Sequence, residues 1–325
     1  MNNVLSIIIS LLVYPGLIFA LVAALLFGWI RGTARAATFG WTGVAPQLSF
    51  RELARRLRQS STVPENAFVP MMQIVPIIAV VCPLLVLTFL PLPGNRGTGG
   101  APYTADIAAL GAFIVGMPFA RIMLGWSIPS PYTRIAAMRS MRSLIGIALP
   151  LTLALAVAVA LGNASRVDII ALHSTGFTTS IERFRTIARV LAGIAYLTCL
   201  PALARLTAIR EGQGSMELVS SELTELSGRE LMTMRVAEWL QLVAAIGLGM
   251  ALYVLPFFAA DNLRGIIAIA GAILIAAGLG IWEGGIAPRI RTREDLGMPY
   301  AIWFGAPSLF GIFAVLSLVV AQRYV

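Results

Sequence analysis

The chain has 325 residues, 58% of them hydrophobic and only 12% charged, with a mean hydropathy of +0.86. A soluble globular domain carries about 25% charged residues, so a string of soluble domains is excluded and a polytopic membrane protein is indicated. All 24 basic residues are arginine against 15 acids, a net charge of +9, which in a membrane protein reflects positive cytoplasmic loops rather than nucleic acid.

Eight apolar stretches are long enough to cross about 30 Å of hydrocarbon: residues 5–30, 71–92, 105–126, 143–162, 186–206, 237–259, 265–283 and 299–320. No strand-like alternation competes with them, so the predicted fold is an all-α membrane protein, one domain of eight transmembrane helices. The first stretch lacks a basic leader and is too long for the apolar part of a signal peptide, so it is read as a helix. Loops 31–70, 127–142, 207–236 and 284–298, with their adjoining helix ends, carry 17 arginines; the other side carries 7. That imbalance predicts the first set to be cytoplasmic and both termini to lie outside.

In chain order, Arg31, Arg35 and Arg55 belong to the first cytoplasmic loop. There Arg51 to Arg58 reads as a short amphipathic helix, Leu53 and Leu57 on one side, serving as an anionic-lipid anchor or as a docking surface for a peripheral partner. Gly94 to Gly100 is a flexible external turn. Asp106 suits a helix start. Pro76, Pro83, Pro118 and Pro150 are candidate helix breakers, and Arg121, close to Pro118, is expected to pair or to snorkel inward. Glu182, Arg183, Arg185 and Arg189 read as an external interface ladder, and His173 as a solvated loop residue. Gly247, Gly249, Gly271, Gly278 and Gly280 suit close packing, expected against neighbouring subunits. Cys82 and Cys199 lie inside apolar runs, too few and too buried for a disulfide framework or a thiolate metal site. No metal-ligand set is legible, and no catalytic residue.

The acids are unevenly spread: Glu211, Glu217, Glu222, Glu225, Glu230 and Glu238 fall within 28 residues. Glu222 and Glu225 share a helix face, and Glu225 with Arg229 has the favourable order for an ion pair. A solvated connecting helix is the bland reading. Glu238 resists it, because it enters the apolar run from Trp239 to Leu255. An ionisable group there costs roughly 2.5–3.5 kcal/mol, and such groups face a bundle interior or a wet cavity. Burial of this kind raises a carboxyl pKa and suits proton transfer near neutrality. Glu283, at the inner end of the seventh stretch, makes the same argument more weakly.

Glu217-Leu218-Val219-Ser220-Ser221, then Thr224-Glu225-Leu226-Ser227-Gly228, then Ala237-Glu238-Trp239 resembles the signature of the quinone-chamber membrane subunit of respiratory complex I. That family writes Glu-Leu-Val-Ala-Gly, Thr-Glu-Tyr-Ser-Gly and Ala-Glu-Tyr. Gly125-Trp126-Ser127, Ser130-Pro131-Tyr132-Thr133 and Ala137-Met138-Arg139-Ser140 look closer to the membrane anchor subunits of group 4 [NiFe]-hydrogenase and formate hydrogenlyase complexes, as does Trp282-Glu283 followed by Arg289 and Arg291. The resemblance implies a non-catalytic subunit in a multi-pass position in the cell (inner) membrane. Its cytoplasmic face would dock a small iron–sulfur subunit and a catalytic subunit, with antiporter-like membrane subunits and lipids as further neighbours. No cofactor would be bound by this chain, except that a quinone could enter the chamber; iron–sulfur clusters, with NiFe in the hydrogenase branch, would sit in the partners. By position, Glu217, Glu222, Glu225, Glu238 and Glu283 would line the chamber or proton path. Arg31, Arg35, Arg55, Arg139, Arg210 and Arg229 would fix loops or dock partners. Arg210, Gln213 and Ser215 stand where the family carries acids, and Ala148 or Leu149 where it has a carboxylate on the fourth span, so the chain is a divergent member. Two other readings stay open: a purely structural anchor, and a free-standing transporter built on proline-broken helices.

Overall fold

The computed structural model describes residues 17–40, 51, 54–55, 57–60, 67–90, 105–172, 180–203, 226–258, 261–282 and 305–323. Among them, nine α-helices follow in order: α1 (Leu17–Thr38), α2 (Val69–Phe89), α3 (Ile107–Ser127), α4 (Pro131–Gly162), α5 (Val167–Leu172), α6 (Ser180–Leu203), α7 (Gly228–Gly249), α8 (Asp261–Ile281) and α9 (Ala306–Arg323). Six helical segments are long and apolar enough to cross a membrane, those of α1, α2, α3, α4, α6 and α7; the apolar parts of α8 and α9 are shorter.

The helices are arranged around α7. Neighbouring pairs are α1 with α8, α2 with α3, α3 with α4, α4 with α6 and α9, and α6 with α9, while α7 touches α1, α2, α3, α6 and α8. In its segment 83% of the most apolar window is buried, against 22% in α1. A helix that is apolar all round belongs in the middle of a bundle, and α7 buries Leu240, Leu242, Val243, Ala244, Ala245 and Ile246 together. The outer faces are apolar as well: Ile74, Ile77 and Ile78 of α2, and Ile266, Ile269 and Leu274 of α8, are exposed. An exposed aliphatic band is what a hydrocarbon solvent selects.

Several boundaries differ from expectation. The cytoplasmic loop 127–142 is largely helix, because α4 begins at Pro131 and runs for 32 residues. Proline at the first helical position costs no hydrogen bond and sets φ in advance. Its arginines lower the hydropathy without breaking the helix. At the far end Asn163 adopts φ 47°, the left-handed C-terminal cap. Asp106 then pairs with Arg166 in an isolated antiparallel bridge, and its carboxylate accepts from the Ser165 hydroxyl at 2.8 Å; it does cap the start of α3 in position, though not by a side-chain bond to that helix. Beyond this turn lies the short α5, whose Val167, Ile170 and Ala171 are buried. Helix α7 begins at Gly228 rather than at residue 237, so Arg229 and Arg235 share a helix with Glu238.

The candidate breakers do not break. Pro76 and Pro83 lie inside α2, Pro118 inside α3 and Pro150 inside α4. The discontinuous helices on which a transporter reading leaned are not found at these four positions. The glycines also pack inward rather than against other subunits: a Cβ on Gly247 would meet Leu90, one on Gly249 would meet Tyr196, one on Gly271 would meet Met250, and one on Gly280 would meet the α1 backbone at Arg31. Gly278 alone of that set has open space around it.

After Gly249 the α-helix widens into a π-helix over Met250–Val254 and then tightens to a 3-10 turn, Leu255–Phe257. The amide of Leu255 donates to the carbonyl of Met250, five residues back. Single π-turns of this kind are uncommon and shift the residues beyond them around the axis.

Candidate functional site

Glu238 stands in the third turn of α7 and is 4% exposed. One carboxylate oxygen, Oε1, accepts from Nη1 of Arg121 on α3. The other, Oε2, accepts from Nη1 of Arg235 at 3.2 Å, one turn earlier on α7. Arg121 is buried too, while the side chain of Arg235 is 41% exposed. A charge withdrawn from water must be paired and hydrogen-bonded to persist, and here both oxygens are engaged. Arg121 pairs inward, as its place beside Pro118 suggested.

Around the pair is a wall of apolar side chains: Met72, Val75 and Ala79 of α2, Met117, Ala120 and Leu124 of α3, and Met234 and Ala237 of α7. The pair is therefore a bolt between α3 and α7 in an apolar setting. A second link lies one turn further along α7. Gln241 is 1% exposed, and its Nε2 donates to the carbonyl of Ile114 at 2.6 Å. Ile114 precedes Pro118 by four residues, so proline, lacking an N–H, leaves that carbonyl without its helical donor. Gln241 supplies the missing bond. The Oε1 atom of Gln241 is buried with no hydrogen-bond partner among the described residues.

Higher on α7, the hydroxyl of Tyr196 (α6) donates to the carbonyl of Ala245 at 2.8 Å. Glu238, Gln241 and Ala245 are spaced i, i+3, i+7, one helical face. The Tyr196 ring lies 5.6 Å from that of Tyr253, centroid to centroid. Tyr253 lies within the π-helix, whose extra residue per turn sets it back toward the same stripe. Arg189 of α6 is buried within electrostatic reach of Tyr253. It is thus no member of an external interface ladder. Its neighbours in sequence suggest the surface, and packing of α6 against the π-turn places it inside.

Of the other residues singled out by sequence, Arg229 is exposed on the first turn of α7. Arg31 and Arg35 lie on α1 rather than in a loop. Arg55 is helical and exposed, in keeping with a short helix there; Arg51, Ala54 and Leu57 are helical too. Arg139 is on α4; its side chain, and the whole of Glu217, Glu222, Glu225, Arg210, Glu283 and His173, lie outside the described residues. Gly228 has φ +54°, and a Cβ there would lie 2.6 Å from the carbonyl oxygen of Ser60. The backbone of segment 57–60 therefore rests on the first residue of α7. Cys82 and Cys199 are free, the second buried. Among the described residues no group of three or more His, Cys, Asp or Glu side chains comes together to hold a metal.

Glu238 and Arg121 each stand out in the sequence, but nothing there joins them, and Arg235, Gln241, Tyr196 and Tyr253 were not anticipated. A signal existed for Gln241: it follows Glu238 by three residues, on one face, inside an apolar run.

Residues 4–316 match the family described as NADH dehydrogenase. The chain is similar to the NADH-quinone oxidoreductase H subunit of Geobacillus sp. (strain WCH70), 24% identical over 271 residues, which is 81% of this chain and 77% of that protein. It is similar also to the corresponding H subunit of Geobacillus kaustophilus (strain HTA426), 27% identical over 203 residues, 61% of this chain and 57% of that one. Among solved structures it shares the fold of a chain in the membrane-bound sulfane sulfur reductase (MBS), an archaeal respiratory membrane complex. The TM-score is 0.70 at 17% identity, over 94% of this chain and 97% of the other.

Proposed function

The chain belongs to the NADH dehydrogenase family, and on that premise we propose that it is a membrane subunit of a complex I-like respiratory complex, divergent from the quinone-chamber subunit it resembles. In this reading it anchors an iron–sulfur and catalytic arm on its cytoplasmic face and links redox chemistry in that arm to proton movement. A group 4 hydrogenase-like complex is the variant suggested by the Ser130-Pro131-Tyr132-Thr133 motif. The observation that carries the reading is the buried Arg121–Glu238–Arg235 cluster, on the helix that directly follows the family's signature loop. A protein lacking any use for charge gains little by keeping three ionisable groups at one point of a bundle.

The iron–sulfur chemistry belongs to partners, since the two cysteines of this chain sit apart as free thiols. Glu217, Glu222 and Glu225 would line the entry loop, with quinone as the acceptor in the complex I variant, and Glu283 would extend the path. The six arginines of the inner loops, Arg31, Arg35, Arg55, Arg139, Arg210 and Arg229, would meet the docked arm. A second reading has a specific observation behind it: both oxygens of Glu238 are committed to guanidinium groups, as befits a structural anchor that moves no proton.

One experiment addresses both. Tagged chain is purified from its own membranes and its companions identified; an iron–sulfur subunit and a catalytic subunit are expected. A monodisperse chain with no redox partner overturns the proposal. Reconstituted wild-type and Glu238→Gln complexes are then compared for proton uptake during turnover. Loss of translocation with electron transfer retained supports coupling, and equal translocation in both leaves Glu238 a structural residue.

A further inference from the structure

A pocket of about 350 Å³ opens where the N-terminus of α2, the C-terminus of α3 and the start of α4 meet; Phe68, Met71, Met123, Trp126, Ser127 and Arg134 line it. Its rim is fixed by backbone: the amide of Phe68 donates to the carbonyl of Ser127 at 3.1 Å. Its floor is apolar and adaptable, because Met71 and Met123 fill irregular space with flexible thioethers. Its mouth is polar. Arg134 is exposed, and no ion pair is found for it among the described residues. Trp126 is 52% exposed, and its indole N–H likewise finds no acceptor among them. No carboxylate lines the pocket.

We infer that this pocket binds an anionic phospholipid, with the phosphate on Arg134 and Trp126 and an acyl chain along Phe68, Met71 and Met123. A guanidinium presents a fork that matches two phosphate oxygens. Tryptophan at a helix end sits at headgroup depth, where one edge is wet and the ring is not. Arg134 belongs to the arginine-rich side of the chain, the side that faces the anionic inner leaflet when orientation follows the arginine count. The site goes beyond the proposed coupling role and needs only that α2, α3 and α4 span the membrane.

The floor of the pocket is also the wall of the ion cluster. Met71 and Met123 pack against the apolar residues that enclose Arg121 and Glu238. One layer of side chains thus separates the acyl chain from the bolt between α3 and α7, and an occupied pocket tightens that layer.

The test uses the protein purified from its own membranes with its native companions, stripped of lipid in mild detergent. Phosphatidylglycerol and phosphatidylcholine are added back separately while thermal unfolding is followed. Phosphatidylglycerol is expected to raise the melting temperature at lower concentration than phosphatidylcholine. Arg134→Gln is expected to weaken that response at least roughly fivefold, the weight of one arginine near an anionic surface. Arg58→Gln, an exposed arginine away from the pocket, serves as control and leaves the response unchanged. Equal responses to the two lipids, or an Arg134→Gln protein that responds as wild type, overturns the inference. So does a density map in which the pocket holds a quinone or a protein side chain instead of a lipid.

Discussion

Replacing Arg121 by leucine isolates the central interaction of the bundle. Arg121 and Glu238 are both almost wholly buried, so the change strands a carboxylate in an apolar wall with one remaining partner, Arg235, at 3.2 Å and partly in solvent. Breaking a buried pair by removing one partner costs about 3–5 kcal/mol. Because Arg235 still contacts Oε2, the lower end, about 3 kcal/mol, is expected. Removing both charges, in Arg121→Leu with Glu238→Leu, restores most of that loss, since well-packed apolar replacements of buried pairs are often neutral or stabilising. The assay is a double-mutant cycle on thermal unfolding of the purified assembly. The coupling energy is expected at the upper end of the range of about 0.5–3 kcal/mol seen for residues in contact. Additive single-site effects, with coupling under about 0.5 kcal/mol, would refute the reasoning, because they would mean that the two side chains do not sense one another.

Gly228→Ala is expected to cost at least about 1–2 kcal/mol for the left-handed conformation alone, with more added by the close carbonyl of Ser60; faster protease cleavage near residues 57–60 in native membranes would report it. Tyr196→Phe removes the bond to the Ala245 carbonyl and should lower stability by about 1 kcal/mol, measured by the same unfolding assay. Gln241→Leu leaves the Ile114 carbonyl beside Pro118 without a donor, a loss of about 1–3 kcal/mol for a buried acceptor, and Pro118→Ala in the same chain should recover part of it. Lipophilic maleimide should label Cys82, which is half-buried, well before Cys199, which is buried; equal rates would place Cys199 at a surface.

The membrane bundle was legible from the apolar runs, because hydrocarbon permits few backbone solutions. Glu238 was legible for the same reason in reverse: a charge in such a run stands out. Its partner was not, since 117 residues separate Arg121 from Glu238 and only the packing of α3 on α7 brings them together. Pro118 announced a carbonyl without a donor but could not say that Gln241 would fill the vacancy. The start of α4 was missed because hydropathy averages blur over Arg134, Arg139 and Arg142, although Pro131 marks the boundary. Arg189 was misread because surface charge and buried charge look alike in one dimension. The acids of the signature loop, Glu217, Glu222 and Glu225, rest on resemblance alone.

The widened turn at Met250–Val254 makes this stretch sensitive to length rather than to identity. Deleting one residue there would let the coil close up as an ordinary α-helix and swing everything after it by about 100°. Tyr253 would leave Tyr196, and Pro256 would face a different neighbour. Substitutions can therefore accumulate in this segment while insertions and deletions cannot, and a chain carrying one would misplace the link to α8 even with every side chain preserved.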